Sequence, residues 1–264
     1  MAQQQTVPVN PVKARLEAGE AALGLNVRLS RSGDIARIAK ATGHDFLFID
    51  TQHSIFSLET LAQLIQAALG SGVAPLVRVR GVDDPDTALL LDNGAAGIVF
   101  PDVSTAAEAR RAVELCRFAP RGRRSVAGGY PQFDFRAVPV GEATRLLDEA
   151  TLVVCMIETP AGLEAIDEIA AVDGVDVLHL GSNDLMAALG KPGSFDDPVL
   201  TQAIGRVLAA ARRHGKAAGC GGVRDVARQA ALIREGMRFL TTQTDIGFLM
   251  AAAQRWTQEL RALA

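Results

Sequence analysis

Residues 151–185 have the sequence TLVVCMIETPAGLEAIDEIAAVDGVDVLHLGSNDL. Two short runs in this stretch, 151–158 and 176–181, are apolar at nearly every position, which is typical of parallel strands covered by helices on both faces. A longer segment with a helical pattern lies between them. A strand, a helix and a second strand in this order form a βαβ unit, so the stretch predicts a parallel sheet.

The same alternation continues in both directions along the chain. Eight candidate strands lie at residues 22–28, 45–50, 74–79, 96–100, 151–158, 176–181, 217–221 and 238–242. Amphipathic stretches such as LETLAQLIQAALG and TQAIGRVLAAARRHG separate them and predict the crossover helices. Eight β/α units favour a closed (β/α)₈ TIM barrel, because an open doubly wound sheet more often has about five or six strands. No GxGxxG follows the first strand, which argues against dinucleotide binding.

The segments outside the repeat complete the predicted organisation. We expect a single domain over residues 1–264, with a flexible tail at residues 1–10 and an extra helix near residues 12–18. Residues 120–140 contain the chain's only tyrosine, several arginines and several glycines, and predict a long loop over the barrel mouth. This loop is either a solvated surface segment or a lid or subunit contact.

Composition excludes several classes of protein. The formal net charge is −3, and the lysines and arginines are scattered, so we expect neither a nucleic-acid partner nor a membrane partner. The N-terminus lacks a cationic start followed by an apolar stretch, and no run of about 18 apolar residues occurs, which favours a cytoplasmic protein. Three widely spaced cysteines without a CxxC are expected to be reduced thiols.

In a barrel of this type the active site lies at the carboxyl ends of the strands. Glu158 ends the fifth predicted strand and Asp184 follows the sixth, so neighbouring strands bring two carboxylates together. Two such groups repel each other unless a cation lies between them, and Mg²⁺ or Mn²⁺ prefers oxygen ligands. In the alternative interpretation, Asp184 caps the following helix and Glu158 pairs with an arginine.

A histidine and an aspartate follow the second strand. His53 comes three residues after Asp50, where the carboxylate would fix the imidazole tautomer and support it as a base. The other three histidines are interpreted as structural: His44 in an αβ turn, His179 inside a strand and His214 at a helix end.

Two further features indicate an anionic substrate. Arg78 lies in the apolar run PLVRV, where it binds either a substrate carboxylate or an internal one. Gly181, Ser182 and Asn183 open a helix, and backbone N–H groups there suit a substrate carboxylate. None of the four lysines lies at the carboxyl end of a strand, which disfavours imine catalysis.

Five motifs carry a family resemblance. They are FLFIDTQHS, PLVRV, LLLDNGAAGIVFP, IETPAGLEAIDEI and GVDVLHLGSNDL. The chain resembles the 4-hydroxy-2-oxoheptanedioate and 2-dehydro-3-deoxyglucarate aldolases, the HpcH/HpaI type, whose wider superfamily includes citrate lyase β-like proteins. The resemblance runs from about the first strand to the last helix.

The resemblance implies a class II pyruvate aldolase on a barrel of the phosphoenolpyruvate/pyruvate-binding type. It would cleave or form 4-hydroxy-2-oxo acids through a pyruvate enolate held on Mg²⁺, Mn²⁺ or Co²⁺, releasing pyruvate and an aldehyde. Glu158 and Asp184 match the metal ligands, Arg78 the enolate-stabilising arginine, and His53 with Asp50 the catalytic dyad. Asp92 matches an acidic residue near the dyad across a subunit interface, although from the sequence alone it could equally be a solvated helix-end charge.

The resemblance also implies an assembly, a homohexamer built as a trimer of dimers that exchange their last helices. The apolar stretch DIGFLMAAAQRWTQEL, residues 245–260, offers more hydrophobic surface than one packed face needs. The alternative is an ordinary helix that closes the barrel.

The sequence leaves two departures and two rival functions open. Many relatives have Glu where this chain has Gln52, and some have Gln where it has Met156. Both departures could alter substrate choice. The first rival function is oxaloacetate decarboxylation, which passes through the same enolate. The second is a non-catalytic barrel that binds a small acid.

Overall fold

The chain forms a closed barrel of eight parallel strands in sequential order, in a computed structural model that describes residues 8–264. The strands are β1 (Ala22–Val27), β2 (Phe46–Asp50), β3 (Ala74–Arg78), β4 (Gly97–Phe100), β5 (Leu152–Ile157), β6 (Val177–Gly181), β7 (Ala217–Gly221) and β8 (Phe239–Thr244). All eight agree with the sequence-based ranges to within two residues at each end. The predicted TIM barrel is therefore confirmed.

Helices surround this barrel. They are α1 (Pro11–Glu17), α2 (Asp34–Ala41), α3 (Leu58–Gly70), α4 (Thr87–Asp92), α5 (Ala106–Cys116), α6 (Val140–Ala150), α7 (Pro160–Glu164), α8 (Ile166–Ala170), α9 (Ser182–Ala188), α10 (Pro198–Arg213), α11 (Val226–Glu235) and α12 (Asp245–Leu263), with a short 3₁₀ turn at Pro131–Phe133. None of them is both long and apolar enough to cross a membrane, as far as residues 8–264 are concerned.

The apolar core has two layers, because successive side chains of a strand point to opposite faces. In β2, Phe46 and Phe48 belong to the cluster inside the barrel, whereas Leu47 and Ile49 pack against the helices. The Phe46 ring stacks on Phe239 of β8, with 4.5 Å between ring centroids. A Cβ atom on Gly24 would lie 2.1 Å from the Phe46 ring, so only glycine fits there.

The extra N-terminal helix α1 closes the amino end of the barrel. Its Val12 is fully buried in the inner cluster. Asn10 caps the helix, and its side-chain amide also donates to the carbonyl oxygens of Ala96 and Ala150. Asn10, which the sequence assigned to a flexible tail, is therefore anchored to the barrel. Residues 1–7 of the predicted tail lie outside the described part of the chain.

The segment 120–140 lies elsewhere than expected. Its Arg124 pairs with Asp92 at the end of α4 over 2.7 Å, and the Gln132 amide donates to Leu91 O. The end of α4 leads into the start of β4, so this segment is anchored at the amino end of the barrel. The expectation of a loop over the mouth is wrong for the single chain, because Phe118, Tyr130 and Phe133 form a separate apolar cluster with α6.

Candidate active site

The carboxyl ends of the strands enclose a cavity of about 60 Å³. Its lining comes from seven of the eight strands or the residues that follow them: Asn26, Phe48, Arg78, Met156, Glu158, His179, Gly181, Ser182, Asn183, Asp184, Gly221, Gly222, Arg224 and Thr241. Glu158 and Asp184 both line it, as the sequence predicts. The substrate-binding candidates Gly181, Ser182 and Asn183 line it as well.

Glu158 is the most constrained of these residues. It follows β5 directly and is 2% exposed. Its Oε1 accepts the backbone N–H of Asp102 at 2.8 Å, whereas Oε2 is buried without a partner among the described residues. Burial raises the pKa of Glu158 to about 7, and the negative charges of Asp102 and Asp184 add to this rise. A buried carboxylate oxygen with no donor is costly, and a positive charge close to it would offset that cost.

The backbone around Glu158 is specialised. A Cβ atom on Gly181 would lie 2.3 Å from Oε2, so glycine is needed at the end of β6. Asp102 adopts φ 55°, in the left-handed region that non-glycine residues rarely enter, while its N–H donates to Glu158. Such strain concentrates at functional sites, where surrounding structure holds it.

Asp184 and Glu158 suit a divalent cation. Asp184 lies in the first turn of α9 and is exposed, and neither carboxylate pairs with an arginine within residues 8–264. Within those residues, no group of three or more histidine, cysteine, aspartate or glutamate side chains is placed to hold a metal. Two carboxylates leave the remaining positions to water and substrate, as is usual for Mg²⁺ in a catalytic site. The orphaned Oε2 of Glu158 fits a cation ligand.

Arg78 and Asp50 form a buried pair. Nε and Nη2 of Arg78 donate to the two oxygens of Asp50 at 3.0 and 2.7 Å. The third nitrogen, Nη1, has only the sulfur of Met156 at 3.9 Å. Arg78 therefore binds an internal carboxylate, which is one of the two interpretations that the sequence allowed. Its Nη1 lies at the cavity and donates to no oxygen atom among residues 8–264.

The expected contact between Asp50 and the His53 imidazole is not formed. Asp50 accepts the backbone N–H groups of Gln52 and His53, both at 3.2 Å, in addition to the Arg78 guanidinium. The His53 side chain is exposed at the mouth and has no hydrogen-bond partner in the described chain. Arg78 occupies the carboxylate because a bidentate pair with a buried guanidinium satisfies more of its lone pairs than one imidazole would.

Asp92 lies at the opposite end of the barrel from the other candidates. It ends α4, where it is paired with Arg124, and four residues separate it from the start of β4. One chain does not bring it near His53 or Glu158.

The other histidines have the structural positions that the sequence indicates. His44 bridges Thr42 and Thr242, and His214 caps the end of α10. His179 lies inside β6, but it also lines the cavity. Burial lowers the pKa of His179 to about 3, helped by the nearby Arg78 charge, and its Nδ1 has no partner among residues 8–264.

Three polar residues at the carboxyl end, Asn26, Arg28 and Arg224, were not among the sequence-based candidates, which came from the ends of the second to sixth strands. Arg28 follows β1 directly, and Arg224 follows β7 by three residues. Extending the same inspection to the first, seventh and eighth strands would have found all three.

Comparison with known proteins identifies the family. Residues 27–252 match the family model described as HpcH/HpaI aldolase/citrate lyase. The chain belongs to this family. The resemblance noted from the five sequence motifs is thereby confirmed, and so is the predicted enzyme class, a carbon–carbon lyase of the aldolase type.

Relatives and solved structures agree along nearly the whole chain. The chain is 38% identical over 251 residues to 4-hydroxy-4-methyl-2-oxoglutarate aldolase of Chaetomium globosum, covering 92% of each protein. It is 33% identical to hydroxypyruvate/pyruvate aldolase of Delftia acidovorans, over 94% of this chain and 91% of that protein. The crystal structure of an HpcH/HpaI aldolase from Desulfitobacterium hafniense superposes with a TM-score of 0.91 at 29% identity, over 96% of this chain and 97% of that one.

Proposed function

We propose that this protein cleaves 4-hydroxy-2-oxo acids by a retro-aldol reaction that releases pyruvate, with a divalent cation held by Glu158 and Asp184. The observation that carries the proposal is the buried, unpartnered Oε2 of Glu158 beside Asp184 in the cavity. Relatives named for aldolase activity on 4-hydroxy-4-methyl-2-oxoglutarate and on hydroxypyruvate and pyruvate support the substrate class. We expect Mg²⁺, Mn²⁺ or Co²⁺, because the two ligands supply oxygen atoms only.

The cation, when bound, would withdraw electron density from the 2-oxo group. This would stabilise the negative charge that C3 gains when the C3–C4 bond breaks. Glu158 and Asp184 would hold it, and the first turn of α9 at Gly181, Ser182 and Asn183 would orient the substrate carboxylate, since N–H groups in a first turn lack acceptors within the helix. The position of all these residues around one cavity supports these proposed roles.

Arg78 and His53 would handle the charge and the proton. Asp50 fixes the Arg78 guanidinium through two hydrogen bonds, which leaves Nη1 to donate to the oxygen that gains negative charge at C2. His53, exposed at the mouth, would take the proton from the C4 hydroxyl as the C3–C4 bond breaks. A contribution from Asp92 would have to come from a second copy of the chain.

The experiment separates aldol chemistry from mere acid binding. Pyruvate release from 4-hydroxy-2-oxo acids should stop after chelation and return with Mg²⁺ or Mn²⁺. His53→Ala should slow this cleavage by about 10²–10⁴-fold, the usual contribution of a positioned acid–base group. Decarboxylation of oxaloacetate should fall much less, because it requires no deprotonation of an alcohol. His214→Ala, at the end of α10, is the control.

Equal loss of both reactions in His53→Ala would remove the residue from the role of base. A wild-type chain that releases pyruvate only from oxaloacetate would replace the aldolase proposal with a decarboxylase of the same family.

We also propose that the chain acts as a homo-oligomer, a hexamer built from dimers that exchange α12. This helix of 19 residues protrudes: apart from its first turn, its residues are exposed. Leu249, Trp256, Leu260 and Leu263 form an exposed apolar stripe along one face. An ordinary barrel-closing helix would bury such a stripe, so a second copy is the natural partner.

Sedimentation of the wild-type chain at micromolar concentration should give a mass well above 27.8 kDa. Trp256→Glu should shift the population towards smaller species, whereas Gln258→Glu, which adds the same charge to the same helix, should not. A monomeric wild-type chain would contradict the proposal.

The cytoplasm remains the proposed location. All three cysteines are buried and unpaired, which suits a reducing compartment.

A further inference from the structure

The floor of the cavity carries polar side chains that the proposed function leaves without a role. Asn26 of β1, His179 of β6 and Thr241 of β8 line the cavity, and each is at least nine-tenths buried. None of the three side chains forms a hydrogen bond within the part of the chain that the structure describes. His179 lies two residues before Gly181 on the same face of β6, so its ring is one layer deeper than Oε2 of Glu158, which lies beside Gly181.

Two glycines of β7 make room for the imidazole ring. A Cβ atom on Gly219 would lie 2.7 Å from Nδ1 of His179, and a Cβ atom on Gly221 would lie 2.8 Å from its Nε2. The ring therefore lies across β7, with Nδ1 at the deeper glycine and Nε2 at the glycine nearer the mouth. The Cβ position of Gly221 is also 3.0 Å from Oγ1 of Thr241, so Nε2 and this hydroxyl border the same glycine.

The surroundings of the imidazole favour one tautomer. Nδ1 is buried without a partner among residues 8–264, and the Phe239 ring packs edge-on against the imidazole, with 5.3 Å between ring centroids. A buried N–H without an acceptor is rarer than a buried lone pair without a donor, so the proton belongs on Nε2, beside the cavity-lining Gly221. Burial, helped by the Arg78 charge, lowers the pKa of His179 to about 3, so the ring is neutral at ordinary pH.

These three neutral groups suit a water molecule. Nε2 of His179 supplies a donor, Oδ1 of Asn26 is a buried acceptor to which no residue of the described chain donates, and Oγ1 of Thr241 can donate or accept. A buried water needs roughly two to four polar partners and about 10–15 Å³ of space. The cavity has a volume of about 60 Å³, so it meets both requirements.

The direction in which the C3–C4 bond breaks turns C3 towards this floor. The electron pair of that bond must enter the π system of the enolate, so the bond stands perpendicular to the plane of C1, C2 and C3 as it breaks. His53, exposed at the mouth, takes the proton of the C4 hydroxyl, so C4 leaves on the side of the mouth. The opposite face of C3 is then directed at Asn26, His179 and Thr241.

We infer that Asn26, His179 and Thr241 hold a water molecule that donates the proton to C3, on the face opposite to the departing carbonyl compound. The inference rests on the proposed function and adds the missing proton donor to it. The electron pair released from the C3–C4 bond forms the new C3–H bond, and the water becomes hydroxide, which takes a proton from bulk water. His53 passes the C4 hydroxyl proton to bulk water, so the protons balance and no oxidant or reductant takes part. The three floor residues act through the water and are positioning residues.

Exchange of the methyl hydrogens of pyruvate isolates this proton transfer, because the same step runs in both directions and no carbon–carbon bond breaks. In D₂O with Mg²⁺, loss of the methyl signal in ¹H NMR measures the exchange rate. Wild type should catalyse the exchange. His179→Leu should lower kcat of exchange by about 10²-fold, the contribution of a positioned acid–base group, and change KM for pyruvate by less than about twofold. Asn26→Leu, which removes the acceptor, should act in the same direction.

Two further variants separate positioning from a structural role. His179→Gln keeps a neutral hydrogen-bonding group on the floor and should retain more of the exchange rate than His179→Leu. His214→Leu, at the end of α10, is the matched control and should exchange at the wild-type rate. Calorimetry provides a readout without turnover: His179→Leu should bind Mn²⁺ as tightly as wild type, because the imidazole lies one layer below Glu158.

Several outcomes would overturn the inference and leave the aldolase proposal intact. They are a wild-type exchange rate in His179→Leu, a loss confined to KM, or a loss of Mn²⁺ affinity that matches the loss of rate. A wild-type chain that exchanges the methyl hydrogens of pyruvate but cleaves no 4-hydroxy-2-oxo acid would contradict only the proposed reaction.

Discussion

Two buried arginines, one at each end of the barrel, pair with aspartates in different ways. At the amino end, Arg117 is 2% exposed and places its two terminal nitrogens on three carbonyl oxygens and Asp176. At the carboxyl end, Arg78 gives two nitrogens to Asp50 alone and leaves Nη1 with a sulfur at 3.9 Å. Both terminal nitrogens of Arg117 bond to the chain around them and only its Nε lacks a partner, whereas Arg78 retains a terminal nitrogen that faces the cavity.

The groups around the two arginines also differ in whether their charges are paired. A cleft of about 770 Å³ opens at the amino end, but Lys13, Arg117 and Arg121 in its lining pair with Asp176 or Asp173. The much smaller cavity at the carboxyl end is lined by Glu158, His179 and Asn26, each with a buried polar atom that lacks a partner in residues 8–264. Buried polar atoms without a partner also occur at the amino end, Nε of Arg117 among them, so the feature that distinguishes the carboxyl end is the unpartnered buried carboxylate oxygen, Oε2 of Glu158.

The largest expected effect lies at the amino end. Arg117→Met removes four hydrogen bonds and leaves Asp176 and three carbonyl oxygens without this donor, so the free energy of unfolding should fall by about 3–5 kcal/mol. Urea unfolding measures this fall. The kcat of the folded fraction should be unchanged, because Arg117 is at the end of the barrel away from the cavity.

Arg145→Met is the control for that measurement. It breaks an exposed pair with Glu149 on α6 and should change the free energy of unfolding by less than about 1 kcal/mol. A substantial loss of kcat in Arg117→Met would break the division between a stabilising end and a functional end.

The second effect lies at the carboxyl end and should have the opposite character. Glu158→Gln should reduce the rate by about 10²–10³-fold, as removal of a preorganised charged group does. Excess Mn²⁺ should restore part of the rate, because the variant keeps one neutral oxygen ligand. In chelator the variant should unfold no more easily than wild type, because burial disfavours the Glu158 charge, as its raised pKa shows.

Calorimetric titration with Mn²⁺ should show weaker binding in Glu158→Gln and unchanged binding in Glu164→Gln, an exposed residue of α7. Unchanged Mn²⁺ affinity in Glu158→Gln would remove Glu158 from the cation site.

The smallest of the three effects concerns His179. Its pKa is about 3 in the folded chain against an ordinary value of 6.5, so the unfolded chain binds an extra proton between these values. The free energy of unfolding must then fall as the pH drops below about 6.5. His179→Leu removes this penalty. The stability of the variant relative to wild type should therefore be greater at pH 4.5 than at pH 8, by about 2–3 kcal/mol.

Urea unfolding at the two pH values gives that comparison. An equal difference at both would show that the substitution acts through packing against Phe48 and Phe239 and not through the proton.

Much of the site followed from the sequence because its chemistry is local. Glu158 and the residues Gly181–Asp184 stand where apolar strands end, and a parallel barrel brings all such positions to one face. The partner of Asp50 did not follow. Asp50 and His53 are three residues apart, but the guanidinium that occupies the carboxylate lies 28 positions away on β3, in a register that strand pairing sets.

The sequence by itself determined the alternation of strands and helices, because the apolar periods of the two elements differ and are visible within a few residues. The tertiary structure alone decided that residues 120–140 lie at the amino end, that α12 protrudes, and that Arg78 occupies the Asp50 carboxylate. These outcomes depend on contacts between residues far apart in the chain. Such contacts depend on the closure and register of the barrel, which no local pattern encodes.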